Sequence, residues 1–442
     1  MSKISFITLG CSKNTVDSQV MMGILNDKGH EITENLADAD FIVINTCSFI
    51  NDAKEESINT ILDIADIKDE YKNKKIIVTG CLAQRYHKIL LEEMPEIDGI
   101  LGTGNIDEIV EMIDQLNAET HLIKIDGIHN AYYEGTDRSK FNEGHIAYVK
   151  IAEGCDNRCS YCIIPKLRGN FRSRKIEDIV AEVTKLGENG AKEIVLIAQD
   201  TSKYGIDIYG EYSLNKLLDA LNKVETIDWI RILYIYPETF TPALVQSIKN
   251  NEKVVKYVDI PIQHINNQIL KRMNRKTSKE DIIQLITSLR KEIPEIIIRT
   301  TLIVGFPGET EEHFQELVDF ITAYKFDRLG AFAYSHEEDT PSFKLDGQVK
   351  EEIKEARREI IMETQLEISI ENNEKKVDNI YRVLIDEIDS AENLYIGRTY
   401  MDAPEIDGIV FFNSTEDYTV GEFVDIKITE AMEYDLKGEI IK

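Results

Sequence analysis

The run Ile146-Ala147-Tyr148-Val149-Lys150-Ile151-Ala152-Glu153-Gly154-Cys155-Asp156-Asn157-Arg158-Cys159-Ser160-Tyr161-Cys162-Ile163-Ile164-Pro165 organises the rest of the chain. Its first seven residues read as a strand. Three cysteines follow at C-x3-C-x2-C spacing. Three thiolates are one ligand short of the four that fill a cubane iron–sulfur cluster, so one iron stays open to another molecule. Structural zinc is the plainer alternative. Zinc sites usually combine separated C-x2-C pairs with a fourth Cys or His. None lies nearby, since His145 is at the far end of the strand. The spacing favours iron–sulfur.

From this strand onward, strands and helices alternate six times. The strands are expected at Ile146–Ala152, Glu193–Ala198, Trp229–Ile235, Tyr257–Pro261, Ile296–Val304 and Arg328–Tyr334. Helical patterns fall between them at Ile176–Glu188, Ser213–Lys223, Thr241–Asn250, Ser278–Lys291 and Glu311–Tyr324. Six βα units predict a barrel or an open three-quarter barrel. Such barrels work at the C-terminal ends of their strands, and the cysteine triad follows the first strand at that edge. Other strand ends supply candidates for a cofactor pocket: Gln199 and Asp200, Gln263 and His264, and Gly305 and Gly308 within Val304–Glu309. Glycines there would let the backbone approach an adenine ring. Ordinary turn chemistry explains each of these equally well. The run Arg168–Arg174, basic in an acidic chain, fits a carboxylate of cofactor or substrate, or a solvated loop.

Upstream, a strand–cysteine–helix unit recurs. Strands at Lys3–Leu9, Phe41–Asn45 and Lys75–Thr79 precede Cys11, Cys47 and Cys81, with helices near Val16–Lys28, Ala53–Ile67 and Gln84–Glu93. The cysteines are 36 and 34 residues apart, about one parallel crossover. A parallel sheet gathers such loops at one edge, so three distant cysteines converge there. A second three-ligand cluster is expected, with inert core cysteines as the alternative. Gly102-Thr103-Gly104-Asn105 resembles half a dinucleotide loop but lacks the third glycine.

Downstream, a charged helix near Val349–Asn373 leads to short alternating strands at Tyr381–Ile385, Leu394–Tyr400, Gly408–Phe412 and Phe423–Glu430. These predict a small β-barrel of oligonucleotide-binding type. From Val377 onward 16 Asp/Glu face 5 Lys/Arg, a net of −11, and a barrel gripping an RNA backbone needs the opposite sign. The whole chain carries −29 over 442 residues, which repels phosphates and attracts cationic partners. All six cysteines lie at or before Cys162; in a reducing compartment that clustering means metal or catalysis. No apolar run approaches the roughly 20 residues that span a bilayer. Met1–Ile7 reads as a strand and not as a signal peptide, so a soluble cytoplasmic protein without membrane association is expected.

These motifs together resemble the radical S-adenosylmethionine methylthiotransferases. The matching stretches are Leu9-Gly10-Cys11-Ser12-Lys13-Asn14, Asn45-Thr46-Cys47, Thr79-Gly80-Cys81, the Gly154–Pro165 triad and Val304–Glu309. The resemblance implies an α/β multidomain fold: an N-terminal open parallel α/β sheet (1–120), a linker (121–144), a radical SAM (βα)6 partial barrel with a trailing helix (145–375), and a small antiparallel TRAM β-barrel (376–442). It implies two [4Fe-4S] clusters and S-adenosylmethionine. Cys155, Cys159 and Cys162 would hold the radical-generating cluster. Cys11, Cys47 and Cys81 would hold an auxiliary cluster bearing the sulfur. Of two branches, one modifies a transfer-RNA adenosine and the other the β-carbon of an aspartate in small-subunit ribosomal protein twelve. Val16-Asp17-Ser18, Asp259–His264 and Arg398–Gly408 are similar to the second, and the acidic last domain suits a basic protein partner. An external electron donor is implied, and strong nucleic-acid binding is not expected. A zinc-binding acidic adaptor is the remaining reading.

Overall fold

Short, apolar, β-branched runs build the first sheet of the computed structural model, which describes residues 1–70, 74–118, 121–128, 136–142 and 144–441. Its strands are β1 (Lys3–Thr8), β2 (Glu31–Ile32), β3 (Phe41–Thr46), β4 (Lys75–Gly80), β5 (Gly99–Leu101) and β6 (Leu122–Lys124), all parallel, in the order β2-β1-β3-β4-β5-β6. Every residue of β3 is buried, because helices cover both faces. Val16, Val20 and Met112 pack on one side, and Ile61, Ile64 and Leu90 on the other. The expected linker 121–144 therefore starts as the sixth strand of this sheet. At three residues that strand is too short to show an alternation. Residues 129–135 and 143 of that linker lie outside the described residues.

The second unit holds β7 (Ile146–Lys150), a small hairpin of β8 (Ala152–Glu153) and β9 (Arg172–Ser173), then β10 (Glu193–Ile197), β11 (Trp229–Ile232), β12 (Tyr257–Asp259), β13 (Ile297–Val304) and β14 (Arg328–Ala333). Two parallel sheets, β11-β10-β7 and β12-β13-β14, meet where Val255 N–H donates to the Ile230 carbonyl (3.0 Å) and Ile235 N–H to the Asp259 carbonyl (2.8 Å). Six strands thus follow in chain order, and among the described residues no ladder pairs β14 with β7. Alternation sorts their side chains: Ala147, Ile194, Ile230, Val258 and Ile298 pack outward under the helices. Their neighbours Lys150, Glu193, Arg231, Asp259 and Arg299 alternate with them toward the barrel axis.

The last unit is a closed barrel, β15-β16-β17-β19-β18, of β15 (Ile380–Asp389), β16 (Leu394–Arg398), β17 (Val410–Asn413), β18 (Phe423–Ala431) and β19 (Leu436–Ile440). Four of these strands were expected. β19 was not, and it closes the barrel by pairing parallel to β17 and antiparallel to β18. The barrel is therefore antiparallel in every pairing but one.

Arg398–Gly408, read above as a signature of the substrate branch, forms the floor of the six-stranded barrel. Arg398 meets Glu193 at 2.8 Å, and Glu193 also holds Arg231 at 2.6 Å. Arg328 Nε donates to Asp402 (3.1 Å), and the Tyr257 hydroxyl donates to Asp407 (2.7 Å). Trp229, the one tryptophan, stacks edge-on against Phe423 with centroids 4.9 Å apart. Burial would raise the Glu193 and Asp402 carboxyls, yet Arg231 and Arg398 on one, and Arg328 and Lys376 on the other, pull both below their ordinary values. This motif does architectural work between the two barrels.

Candidate active site

Parallel pairing puts the ends of β1, β3 and β4 side by side, and Cys11, Cys47 and Cys81 are the residues that leave those ends. Two glycines permit the approach. Gly10 has φ +88°, and a Cβ on it would sit 2.7 Å from Cys47 Cβ; Gly80 has φ +91°, and a Cβ there would sit 2.4 Å from the Thr46 carbonyl oxygen. Amides lace the loops together. Asn14 Nδ2 donates to the Leu9 (2.8 Å) and Thr46 (3.1 Å) carbonyls, and Asn45 Nδ2 to the Asn14 carbonyl (2.9 Å). Cys47 is pinned through the Ser57 hydroxyl, which bonds both its N–H and its C=O at 3.0 Å.

The three thiols feel one another. Burial pushes Cys81 up to about 11, and Arg168 opposes it while Cys11 and Cys47 add to it. Cys47 is raised by burial as well. Cys11 is the exception: burial would raise it, but Lys13, Arg168 and the N–H groups of Asn14 and Lys13 outweigh that and lower it.

The second trio occupies one loop after β7. Cys155 N–H donates to the Gly169 carbonyl (3.1 Å), Ser160 N–H to the Met273 carbonyl (3.0 Å), and Cys162 N–H to the Cys159 carbonyl (3.1 Å). Cys159 Sγ lies 2.9 Å from the Tyr236 hydroxyl, and the Arg275 guanidinium stacks 3.8 Å above that ring. Burial raises Cys155 to about 11 and raises Cys162 further.

The trios share one junction. Cys81 packs against Ile163 and Leu167, directly beyond Cys162. Arg168 is 2% exposed and reaches back into the first unit: Nη1 to Asp17 (2.7 Å) and Glu153 (3.2 Å), Nη2 to Asn14 Oδ1 (2.7 Å) and to Cys81 Sγ (3.8 Å). Lys150, at the end of β7, pairs with the same two carboxylates, at 2.6 Å from Glu153. Burial would raise Glu153, but Lys150 and Arg168 hold it well below the usual carboxylate range. Two cations and two carboxylates thus rivet the sheet edge to the barrel mouth. Sequence reasoning missed Asp17, Lys150 and Glu153 as a set; the available signal was a lysine within an otherwise apolar strand. Thr103 of the glycine-poor loop donates to the Leu167 carbonyl (2.6 Å), so that loop is part of the same junction.

The other expected pocket residues separate into groups. Gln199 donates to Glu153 (2.8 Å), and among the described residues its buried Oε1 has no partner, as an acceptor awaiting a ligand would. Asp200 is fully buried and accepts from Asn157 (2.8 Å) and Ser202, so it acts on the cysteine loop through Asn157. Gln263 sits at the mouth with φ +69°. His264 is 0% exposed, its Nδ1 accepts from Asn266 N–H (2.9 Å), and its Nε2, 3.4 Å from Glu309, has no hydrogen-bond partner among the described residues. Both glycines have positive φ, +70° at Gly305 and +87° at Gly308, and close neighbours. A Cβ on Gly305 would meet Lys354 Cγ at 2.3 Å, and one on Gly308 would meet Arg272 Nε at 2.9 Å. Of the basic run, Arg172 bonds its own loop's Asn170 carbonyl (2.6 Å), and Arg174 pairs with Glu182 (2.6 Å).

A zinc ion would draw its sulfurs to about 2.3 Å of one point. Among the described residues no three His, Cys, Asp or Glu side chains are gathered around one point in that way. A cubane has an iron for each thiolate, and two sets of three cysteines on converging loops suit that larger group. The raised thiols, Cys47 and Cys81 in one trio and Cys155 and Cys162 in the other, mean that loading either trio releases protons.

Residues 3–102 match the uncharacterized protein family UPF0004, residues 149–321 the radical SAM superfamily, and residues 377–441 the TRAM domain. The chain is similar over its full length to ribosomal protein uS12 methylthiotransferases. Identity is 51% with that of Clostridioides difficile strain 630 (100% of this chain, 99% of the relative). It is 49% with that of Desulforamulus reducens (100% of each) and 51% with that of Caldicellulosiruptor saccharolyticus (100% of each). Among solved structures, the radical S-adenosylmethionine methyltransferase TsrM from Kitasatospora setae, with cobalamin and a [4Fe-4S] cluster bound, aligns at TM-score 0.54 and 15% identity over 77% of each chain. The cobalamin-dependent radical enzyme OxsB, with S-adenosylmethionine bound, aligns at 0.53 and 15% over 82% of this chain and 56% of that one. These two likenesses concern the fold.

Proposed function

The chain belongs to the family of ribosomal protein uS12 methylthiotransferases, and from that premise we propose how its residues divide the work. It is a radical S-adenosylmethionine methylthiotransferase whose cofactors are S-adenosylmethionine and two [4Fe-4S] clusters. Cys155, Cys159 and Cys162 hold the radical-generating cluster, and Cys11, Cys47 and Cys81 the auxiliary one. When bound, these groups supply the electron that cleaves S-adenosylmethionine and the sulfur that is transferred.

The protein's own residues do the rest. Asp200, through Asn157, fixes the loop that presents three thiols. Tyr236 and Arg275 wall off Cys159. Gln199 Oε1 and the Gln263 side chain offer polar contacts to S-adenosylmethionine at the strand ends. Arg168 and Lys150 keep the two trios in register. The substrate is the aspartate of small-subunit ribosomal protein twelve, modified at its β-carbon in the cytoplasm, with electrons from an external donor. The acidic last barrel, net −11 from Val377 onward, supports a basic protein partner over an RNA. No helix among the described residues is long and apolar enough to cross a membrane.

One observation carries this reading: Cys81 of the first trio packs on Ile163, the residue after Cys162 of the second. The test is anaerobic incubation with reductant and S-adenosylmethionine, offering protein twelve and transfer RNA in parallel, read by mass spectrometry. A methylthio gain on the protein is expected. A gain on the RNA and none on the protein overturns the substrate assignment.

A further inference from the structure

Lys13 stands two residues beyond Cys11, at the first turn of the helix Ser12–Asp27. It is 8% exposed, and a lysine so covered normally has a carboxylate beside it. Among the described residues it has none. The neighbouring charges are already matched: Asp17 and Glu153 by Lys150 and Arg168, and Asp259 by Arg299 at 2.9 Å. What Lys13 touches is a ring. Its Nζ lies 3.6 Å from the centroid of Tyr234, a contact that offsets only part of a buried charge.

Tyr234 follows β11, so this contact bridges the first unit to the barrel mouth. The ring is held there at some cost. Its backbone has φ +60°, a region unfavourable for a bulky residue. That conformation is secured by its N–H donating to Asp259 Oδ2 (3.0 Å) and by Thr201 donating to its carbonyl (3.0 Å from N–H). A strained tyrosine thus props a cation without a carboxylate partner between Cys11 on one side and the strand ends on the other.

We propose that Lys13, seated on Tyr234, binds the side-chain carboxylate of the substrate aspartate and so determines acceptance of aspartate over its amide. The inference rests on the protein-substrate reading above. In an aspartate the reacting β-carbon is one bond from the carboxyl carbon. A cation that fixes the carboxylate therefore fixes the reacting carbon between the two trios. A carboxamide of the same shape carries no charge to answer Lys13 and leaves the cation unpaired, as a site built for one polar partner rejects its analogue. The competing role, a counter-charge for the Cys11 thiolate alone, leaves the ring contact with Tyr234 unexplained.

The test uses reconstituted enzyme under anaerobic conditions and measures binding of protein twelve by fluorescence anisotropy. Two forms are compared, one with the target aspartate and one with asparagine in its place. Wild type is expected to prefer the aspartate form tenfold or more. Lys13→Gln should bind both forms equally while keeping the wild-type iron content, and Lys13→Arg should restore the preference. A Lys13→Gln enzyme that keeps the preference, or that loses iron, overturns the proposal. Wild type binding both forms equally also overturns it and leaves the protein substrate standing. Wild type binding neither form removes the protein-substrate reading itself.

Discussion

Replacing Arg168 with methionine probes the junction most sharply. Methionine keeps the length of the aliphatic stem and deletes the charge. Asp17 and Glu153, 3% and 6% exposed, are then left to share Lys150, and Asn14 Oδ1 loses its 2.7 Å donor. Removing one partner of a buried pair costs about 3–5 kcal/mol. Lys150 remains to both carboxylates, which argues for the low end; the orphaned amide oxygen adds about 1 kcal/mol or more. The expected loss is about 4 kcal/mol, roughly a thousandfold in the equilibrium for opening this contact. Native-state hydrogen exchange reads it directly. Amides of the helix Ser12–Asp27 should exchange faster by that factor, while those of the helix Lys279–Glu292, on the far barrel wall, should not change. A double cycle with Asp17→Asn should be strongly non-additive. Exchange within threefold of wild type, or an additive cycle, refutes the idea that this cluster holds the trios together.

Other expectations follow from the same geometry. Cys159→Ala should abolish 5′-deoxyadenosine formation, whereas Cys47→Ala should retain some cleavage of S-adenosylmethionine and lose sulfur insertion; full methylthiolation by Cys47→Ala contradicts the auxiliary assignment. Asp402→Asn, which breaks the floor at Arg328, should red-shift the emission of Trp229 as Phe423 moves off its ring; an unchanged spectrum contradicts the floor. Glu193 and Asp402 have folded-state values depressed below 4.5 and 3.8. Their stabilisation is complete above about pH 5 and is lost as pH falls through the lower folded values. Acid unfolding followed by Trp229 should therefore begin below pH 4 in wild type, and Glu193→Gln should be less stable at pH 7 with a shallower acid limb. A parallel acid limb in that variant counts against the pairing.

The chain declares its chemistry where one residue type recurs at fixed spacing. C-x3-C-x2-C after a strand, and single cysteines after three parallel strands, give both trios and the edge on which they meet. The six barrel strands are legible because short runs rich in apolar, β-branched residues alternate with helical patterns along the chain. Two kinds of feature escape. Short or polar strands carry no period: β6 has three residues, and β19 (Leu-Lys-Gly-Glu-Ile) closes a barrel with apolar side chains at its two ends alone. Long-range ion pairs leave no local trace, so Asp17 with Arg168, and Arg328 with Asp402, emerge only once the units dock. The same blindness hides what packs beside Gly305, Gly308 and His264. Each is a candidate ligand contact from its place after a strand, and Lys354, Arg272 and Glu309 are the neighbours that only the structure supplies.

Iron and acid-labile sulfide, counted per chain after anaerobic reconstitution, test the twin-cluster account at its root. Two four-iron clusters require about eight irons in wild type. Changing Cys11, Cys47 and Cys81 together to alanine should leave about four, and changing Cys155, Cys159 and Cys162 should also leave about four. Zinc at one or two per chain, or a first-trio variant that keeps its full iron, would contradict it.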